Sequence, residues 1–420
     1  MNDAVAAPST RCCVVGGGPA GMMLGLLLAR AGVQVTVLEK HGDFLRDFRG
    51  DTVHPSTMMA LQQIGLLEKF SRLPQRKVEH LAGILSGKRQ EVIDFRGLKP
   101  FDHLALVPQW DLLDMIAAEG RRHPNFDLRM RHAATGLIEE RGRVVGVTMR
   151  ANPAAGEPTA PGQSLRADLV IACDGRHSTL RDSAGLVANA SGAPMDVLWF
   201  RMPRVESDPQ DTFGIVDAGH MMVLLNRTDY WQAAFLVPKG GDTQLRAQPI
   251  DVLRGSVSKL AAFLTDRTAS IASWDDVKTL EVQVDRLDRW HKPGLLLIGD
   301  AAHAMSPIGG VGINLAIQDA VAAANELAVL LRGKDPIPEA ALAAVQKRRE
   351  RATRLVQRVQ LTMQNRIITR AMAQSGAPLT VPPLLRWLLT FRRVRNIPAW
   401  LFGYGYGRQD VRSSALPPAA

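Results

Sequence analysis

The chain alternates between apolar runs and polar stretches in a way that first reads as strand, turn, helix, strand. Cys12–Val15 is a short apolar run, and Pro19–Arg30 is apolar or small nearly all round. A helix of that kind is buried on every side. Gly32 ends it, and Val33–Leu38 is a second apolar run closed by Glu39. Residues 54–70 and 111–122 carry helical spacing. Gly136–Glu140 and Val144–Met149 pair as a hairpin across Arg141-Gly142, followed by a Pro/Gly/Ala-rich loop over 151–164. DLVIACDG (168–175) is another buried strand, ending on Asp-Gly.

From about residue 190 the texture changes. Strand-like runs at 196–203, 213–216, 221–226 and 231–237 follow one another without helices between them, the pattern of an antiparallel sheet. The chain then returns to strand followed by helix. Residues 295–298 form a buried run, and a helix opens near Val311. A second, long helix opens at DPIPEAAL and reaches about Ala373, with Leu342, Val345, Leu355, Val356, Val359, Met363 and Ile367 on one stripe.

The resulting expectation is an α/β protein with an α+β insertion. Residues 10–185 begin a nucleotide-binding domain built on a parallel sheet, and 186–290 form an antiparallel-sheet substrate domain. Residues 291–375 complete the first domain and add the long helix, and 376–420 form a helical, capping C-terminal tail. No internal repeat is present.

Composition narrows the class. With 46% hydrophobic and 22% charged residues the chain is that of an ordinary globular protein. No apolar stretch is read as a bilayer span, and MNDAVAAPST lacks the features of a signal peptide, so a cytoplasmic location is expected. Cys12, Cys13 and Cys173 have no metal-ligand spacing and read as buried, inert thiols, and no metal site is expected. The formal charge of +10 is uneven. From Lys347 onward there are 14 Lys and Arg against 2 Asp and Glu, which leaves the first 346 residues at a formal −2. That distribution speaks against a nucleic-acid binder.

The chemistry is carried by glycines and acids. Gly16, Gly18 and Gly21 fall in GxGxxG spacing between the first strand and helix, with Pro19 and Ala20 inside the turn. Gly16 permits the tight turn, Gly18 admits a pyrophosphate, and Gly21 permits close helix–strand packing. The helix N-terminus offers N–H groups to phosphates. Glu39, next to Lys40, ends the second strand where it can accept hydrogen bonds from an adenosine ribose. These features point to an ADP-containing dinucleotide and leave NAD and FAD both open.

Two further motifs carry a family resemblance. CDGRHSTLR (173–181) and IGDAAHAMSPIGGVGINLAIQDA (298–320) follow the GxGxxG in the order seen in the group A flavoprotein monooxygenases, those of the para-hydroxybenzoate hydroxylase fold, and over residues 10–370 the chain resembles that family. The resemblance implies FAD as cofactor, NADPH or NADH as reductant and O₂ as co-substrate. It implies hydroxylation of an aromatic or polycyclic, phenol-like small molecule through a flavin C4a-hydroperoxide. It assigns Asp300 to the flavin ribityl chain and Gly299 and Pro307 to the turns around it. Gly310, Val311, Gly312, Ile313 and Asn314 fall at the edge of the isoalloxazine ring. Asp174, Gly175 and Arg181 fall near the pyrophosphate, and Arg49 and Gln109 against the FAD phosphates and the flavin side chain.

Substrate-facing residues are less determined. His54 either faces the flavin or simply starts the helix before Pro55. Arg201, His220, Tyr230 and Trp231 are pocket candidates on the antiparallel strands, with Arg201 readable equally as a surface residue. The Trp residues do not form the Trp-x-Trp-x-Ile-Pro motif of the flavin-dependent halogenases. A reductase or dehydrogenase of the same superfamily, without oxygen transfer, is the alternative enzyme. A non-catalytic flavin-fold binding protein is the alternative of a different class. KRRERATRLVQRVQ reads as the solvated face of the long helix. LLRWLLTFRRVRNIPAWLFGYGYG (384–407) reads as a cap on the flavin domain, or as a basic, apolar surface for a membrane or for anionic, apolar substrates such as quinones. A monomer or homodimer is expected.

Overall fold

The computed structural model describes residues 8–45, 52–85, 88–152, 162–217, 219–368 and 383–412. Its first layer is a mainly parallel sheet. Ser9–Val15 lies at the centre, flanked by Val35–Leu38 on one side and Gln163–Ala172 on the other. Phe126–Arg129 extends the first side, and Leu295–Leu297 joins the far edge of Gln163–Ala172 in parallel. Val14 is in register with Ile171 and with Val37, so the three apolar runs are buried side by side. Strands buried on both faces read as continuous apolar runs for this reason. The hairpin His132–Glu140 and Arg143–Ala151 turns at Arg141 and Gly142, both with positive φ.

Two helices cover this sheet and pack on each other, Pro19–Arg30 and Gly312–Arg332. The stretch Ile308–Arg332 is long and apolar enough to cross a bilayer, yet most of it is buried inside the protein. It is a core helix of the fold, longer and more apolar than the sequence reading allowed for. The segment read as one helix over 54–70 is two, Pro55–Gln63 and Leu67–Ser71, because Gly65 adopts a positive φ of 74° between them.

The second layer is a seven-stranded sheet. Its order is Lys278–Leu280, Met195–Pro203, Tyr230–Pro238, His220–Asn226, Phe213–Asp217, His80–Leu85 and Lys88–Asp94. The four central strands follow the apolar runs read from the sequence. The last two come from within the segment 10–185, so the sheet is not confined to 186–290. HLAGIL and KRQEVID carry weak alternation broken by Gly83 and by charge, which hides them from pattern reading. Leu198, Phe200, Met202, Trp231 and Phe235 pack under the helix Asp251–Leu260. Alternate residues Val197, Trp199, Ala234, Leu236, Met221 and Val223 face the other way, toward Ile308 of the first domain.

The long helix runs from Glu339 to Met363 and continues as a π-helical turn over Gln364–Ile368; the remainder of the expected span lies outside the described residues. The helix Arg392–Gly403 packs on Lys88–Asp94. There the buried Asp94 carboxylate accepts from Arg96 Nη2 at 2.7 Å and Arg395 Nη2 at 3.3 Å. The following residues lace over the core helix: Gln409 N–H donates to Gln318 Oε1 at 2.6 Å, and Asn325 Nδ2 to the Asp410 carbonyl at 2.9 Å. The C-terminal segment therefore packs on the edge of the antiparallel sheet through Arg392–Gly403 and on the core helix through Gln409 and Asp410.

Candidate functional site

The three motifs meet at one place. Gly16 has φ +107°, and a Cβ there would lie 2.3 Å from the Cys173 carbonyl oxygen, so the glycine turn is pressed onto the Asp-Gly turn. A Cβ on Gly21 would lie 1.9 Å from the Gly16 carbonyl oxygen, which is why the helix can start against the turn. Gly18 differs. A Cβ there would meet nothing within 4 Å, and no side chain caps the helix that Pro19 opens. The helix N-terminus is therefore open to a ligand, with Ala20 buried behind it.

Glu39 is nearly buried. Its Oε2 accepts the Gly17 N–H at 2.8 Å and its Oε1 the His41 N–H at 2.9 Å. Through these bonds Glu39 ties the second strand to the turn. Lys40 is exposed, and its carbonyl accepts from Asn152 Nδ2 at 2.9 Å.

Asp174 closes its own loop, accepting the Ser178 hydroxyl at 2.5 Å and the Leu180 N–H at 3.2 Å. Burial raises its pKa, and the hydrogen bonds from Ser178 and Leu180 only partly oppose that. Ser178 caps the next short helix by accepting the Arg181 N–H at 3.0 Å. Arg181 donates to the carbonyls of Arg176 and Ala301 at 2.5 and 3.4 Å. Gly175, at φ +88°, leaves its Cβ side open. Arg176, which the sequence reading passed over, donates from Nε to Asp300 Oδ2 at 3.0 Å and so bridges the second and third motifs.

The third motif starts where the buried strand Leu295–Leu297 ends. Gly299, at φ +60°, sits between the first turns of both core helices: a Cβ there would lie 3.3 Å from Ala20 Cβ and 3.4 Å from Ala316 Cβ. Neither helix N-terminus has a side-chain cap. Two uncapped N-termini converging beside Asp300 give a locally positive, donor-rich cradle suited to a pyrophosphate.

Beneath the cradle lies a buried charge network. Asp319 Oδ2 accepts the Gly299 N–H at 3.1 Å and pairs with His303 Nε2 at 2.6 Å, while Oδ1 accepts from Arg349 Nε at 2.7 Å. Burial alone would raise the Asp319 pKa, but His303 and Arg349 hold it below the usual carboxylate range. Arg349 is 1% exposed, which corrects the reading of KRRERATR as wholly solvated. The helix reads 342, 345, 349, 352, 356 along its buried face. An arginine in that stripe is the signal that was available and passed over.

The turn from Ala304 to Gly310 is held from the same helix. Gln357 Nε2 donates to the Ala304 carbonyl at 3.0 Å, and Gln364 Nε2 to Ser306 Oγ at 2.9 Å. Gln360 Nε2 donates to the carbonyls of Ser306 and Ile308, at 2.9 and 2.7 Å. Pro307 is half-buried at the head of the glycine pair. A Cβ on Gly309 would press on Phe402 at 3.2 Å, and one on Gly310 on Thr52 at 2.9 Å. Val311 and Ile313 are buried, and Gly312 is open on its Cβ side. Asn314 is saturated. Oδ1 accepts from the His54 N–H at 2.8 Å and Thr57 Oγ1 at 2.7 Å, and Nδ2 donates to the carbonyls of Thr52 and Gly310 at 3.1 and 3.2 Å.

His54 precedes the helix Pro55–Gln63 and is fully buried, its Nδ1 2.7 Å from the Phe402 carbonyl. Burial lowers its pKa to about 4, against the opposing pull of the Phe402, Gly309 and Gly310 backbone. The imidazole is neutral, beside the glycine pair. Gln109 is half-buried at the start of the helix Gln109–Gly120. Arg49 lies outside the described residues.

Of the four pocket candidates on the antiparallel sheet, the structure brings Arg201 and Tyr230 together and sets His220 and Trp231 on the opposite face. Arg201 is exposed and stacks 4.8 Å over the Tyr230 ring at the sheet's end. His220 lies against Phe235, on the helix-covered face. Trp231 is a core residue whose indole N–H donates to Asp208 Oδ2 at 2.9 Å. Strand parity, which the sequence reading left open, turns His220 and Trp231 away from the first domain.

Residues 9–359 match the FAD-binding domain family, and the chain belongs to it. It is an FAD-dependent monooxygenase of the aromatic-hydroxylase group. It is 36% identical over 416 residues to a 6-methylpretetramide 4-monooxygenase of Streptomyces rimosus, covering 96% of this chain and 94% of that one. Its fold matches PqsL, a probable FAD-dependent monooxygenase from Pseudomonas aeruginosa, with TM-score 0.72 and 20% identity over 88% of this chain and 98% of that one. It also matches p-nitrophenol 4-monooxygenase PnpA from Pseudomonas putida DLL-E4, with TM-score 0.73 and 20% identity over 95% and 99%.

Proposed function

We propose that the protein hydroxylates a polycyclic aromatic phenol, using NADPH or NADH as reductant and O₂ as co-substrate. The observation that supports this most is the 36% identity, along nearly the whole chain, with an enzyme named for oxygenating 6-methylpretetramide. In this reading Gly16–Gly21 and the open N-terminus at Pro19 hold the FAD pyrophosphate, with Gly175 and the Asp174 loop beside it. Glu39 accepts from the adenosine ribose. Asp300, oriented by Arg176, accepts from the ribityl hydroxyls, and Gly310–Asn314 and Gln109 border the flavin. When bound, FAD would carry reducing equivalents from NADPH or NADH to O₂ and supply the oxygen activation. The chain orients the ring through the Gln357, Gln360 and Gln364 contacts and presents the helix dipole of Gly312–Arg332 to it. Apolar walls exclude water, which protects reactive species from hydrolysis.

The test is purification with FAD bound, followed by NAD(P)H consumption under ¹⁸O₂ with a panel of polycyclic phenols. One ¹⁸O atom in the product is expected. Substrate turnover without label would replace this reading with a reductase.

We further infer that the C-terminal segment touches anionic membrane surfaces. Leu384, Trp387, Phe391, Ile397 and Trp400 are exposed, as are Arg386, Arg392 and Arg393, and no acid occurs between Leu384 and Gln409. Aromatic and arginine side chains together favour an anionic interface. Flotation with phosphatidylglycerol vesicles at low salt, reduced by W387A/W400A, is expected; recovery wholly in the soluble fraction refutes it.

A further inference from the structure

One side chain ties the third motif to the antiparallel domain. Arg176 Nε donates to Asp300 Oδ2 at 3.0 Å, and Arg176 Nη1 donates to the Glu281 carbonyl at 3.3 Å. Among the described residues Asp300 has no other ion-pair partner. Glu281 follows Lys278–Leu280, the outermost strand of the antiparallel sheet, and starts the segment that returns the chain to the first domain. A single guanidinium therefore holds both an acid of the cofactor cradle and the backbone of the returning chain. Its own backbone is fixed as well, because Arg181 donates to the carbonyls of Arg176 and Ala301 at 2.5 and 3.4 Å.

The returning segment is clamped to the antiparallel sheet at the same place. The buried Asp196 carboxylate accepts the N–H groups of Val282 and Gly240 and the Lys239 ammonium, each at 2.9 Å. Lys239 Nζ also reaches the Val282 carbonyl at 3.0 Å and Glu281 Oε1 at 3.2 Å. Hydrogen bonds to a charged group are the strong ones, so residues 281 and 282 go with the strands Met195–Pro203 and Tyr230–Pro238. Further along, Asp285 and Leu287 give their N–H groups to the Ala304 and Ala302 carbonyls at 3.3 and 2.9 Å. Those bonds hold the later part of the return whatever fills the cradle. The earlier part, 278–282, reaches Asp300 through Arg176.

We propose that Arg176 is a positioning residue that couples the cofactor site to the antiparallel domain. It presents the Asp300 carboxylate to the ribityl chain, and a cofactor that engages this carboxylate tightens the 278–282 segment through it. This rests on the reading of Asp300 as the ribityl acceptor. The coupling is reciprocal: what the segment gains from the cofactor, the cofactor gains from the segment. Arginine suits the task because its planar fork bonds two acceptors at once, whereas a lysine ammonium is a point charge. The Arg176–Asp300 pair is part-exposed, at 24% and 31%, and such pairs add little to stability by themselves. Its role lies in placement.

The test is amide hydrogen exchange on the full-length protein, with and without saturating FAD, for the unaltered chain, Arg176→Met and Arg176→Lys. In the unaltered protein FAD is expected to slow exchange both at the Gly16–Gly21 turn and over residues 278–282, the latter by about tenfold. Arg176→Met is expected to keep the slowing at the turn, which also shows that it is folded, and to lose it over 278–282. Its FAD affinity, from a fluorescence titration, is expected to fall about tenfold, as for one charge-assisted hydrogen bond lost. Arg176→Lys keeps the charge without bonding both acceptors, and is expected to restore part of the affinity and none of the slowing over 278–282. Slowing over 278–282 that survives in either variant, or that is absent from the unaltered protein, overturns the proposal and leaves the cofactor reading intact. Unchanged FAD affinity in Arg176→Met does the same. No slowing at the Gly16–Gly21 turn of the unaltered protein would instead overturn the cofactor reading, and the proposal with it.

Discussion

Gln360 Nε2 lies 2.7 Å from the Ile308 carbonyl and 2.9 Å from that of Ser306, so one buried amide on the long helix holds two carbonyls of the Ser306–Gly310 turn. Gln360→Leu leaves both carbonyls buried without their donor. A stability loss of about 1–3 kcal/mol is expected, measured by urea unfolding. The thermal stabilisation conferred by added FAD is expected to shrink as well. A variant that unfolds and binds FAD like the unaltered protein would show that the loop is held by other contacts.

Gly18 and Gly21 have opposite surroundings and separate binding from folding. Gly18→Ala places its methyl in open space at φ −75°, so the apoprotein is expected to keep its stability within about 0.5 kcal/mol. Its FAD affinity is expected to fall at least about tenfold, because the methyl occupies the approach to the pyrophosphate. Gly21→Ala drives a methyl into the Gly16 carbonyl and is expected to abolish folding. Circular dichroism, with flavin retention after gel filtration, distinguishes the two. Stoichiometric FAD on the Gly18 variant would remove that turn from the phosphate site.

Arg349 and Asp319 form a buried ion pair, and removing one partner leaves an uncompensated charge. Arg349→Met is expected to destabilise the protein by about 3–5 kcal/mol, and the double change Arg349→Met with Asp319→Asn to restore much of that. Asp319 has a depressed folded pKa. Its contribution to stability is therefore present above the ordinary aspartate value and lost as pH falls through the lower folded value. In Arg349→Met the depression shrinks, so the acid unfolding midpoint should move to higher pH. An unchanged midpoint would mean that His303 alone sustains the carboxylate.

His54 works in the same direction on a different window. Its folded pKa of about 4 lies below the ordinary histidine value. Between roughly pH 6.5 and 4 the unfolded chain binds a proton that the folded protein refuses, and stability falls with pH by roughly 3 kcal/mol in all. His54→Gln, which can still donate to the Phe402 carbonyl, should flatten that slope. Urea midpoints at several pH values across the window check it, and parallel slopes in both proteins would exclude His54 as the source.

Much of this protein is legible along the chain. The strand–glycine–helix order at Cys12–Arg30, the Asp-Gly and Gly-Asp turns, and the four apolar strands between 195 and 238 depend on local pattern: burial on both faces produces apolar runs, and close backbone approach requires glycine. Those requirements are written in sequence because each is met by residues near one another. The pairing of His80–Leu85 with Phe213–Asp217, the bond from Arg176 to Asp300, and the recruitment of Arg349 and three glutamines beneath the third motif were decided by tertiary structure. Each joins segments far apart in the chain, and a buried polar residue shows its purpose only when its partner is known. The sequence determined the cofactor, because phosphate and flavin recognition is backbone work done by glycines. Which face of the antiparallel sheet each side chain takes was left to the fold, because strand parity alone turns Trp199 toward the first domain and Trp231 away from it.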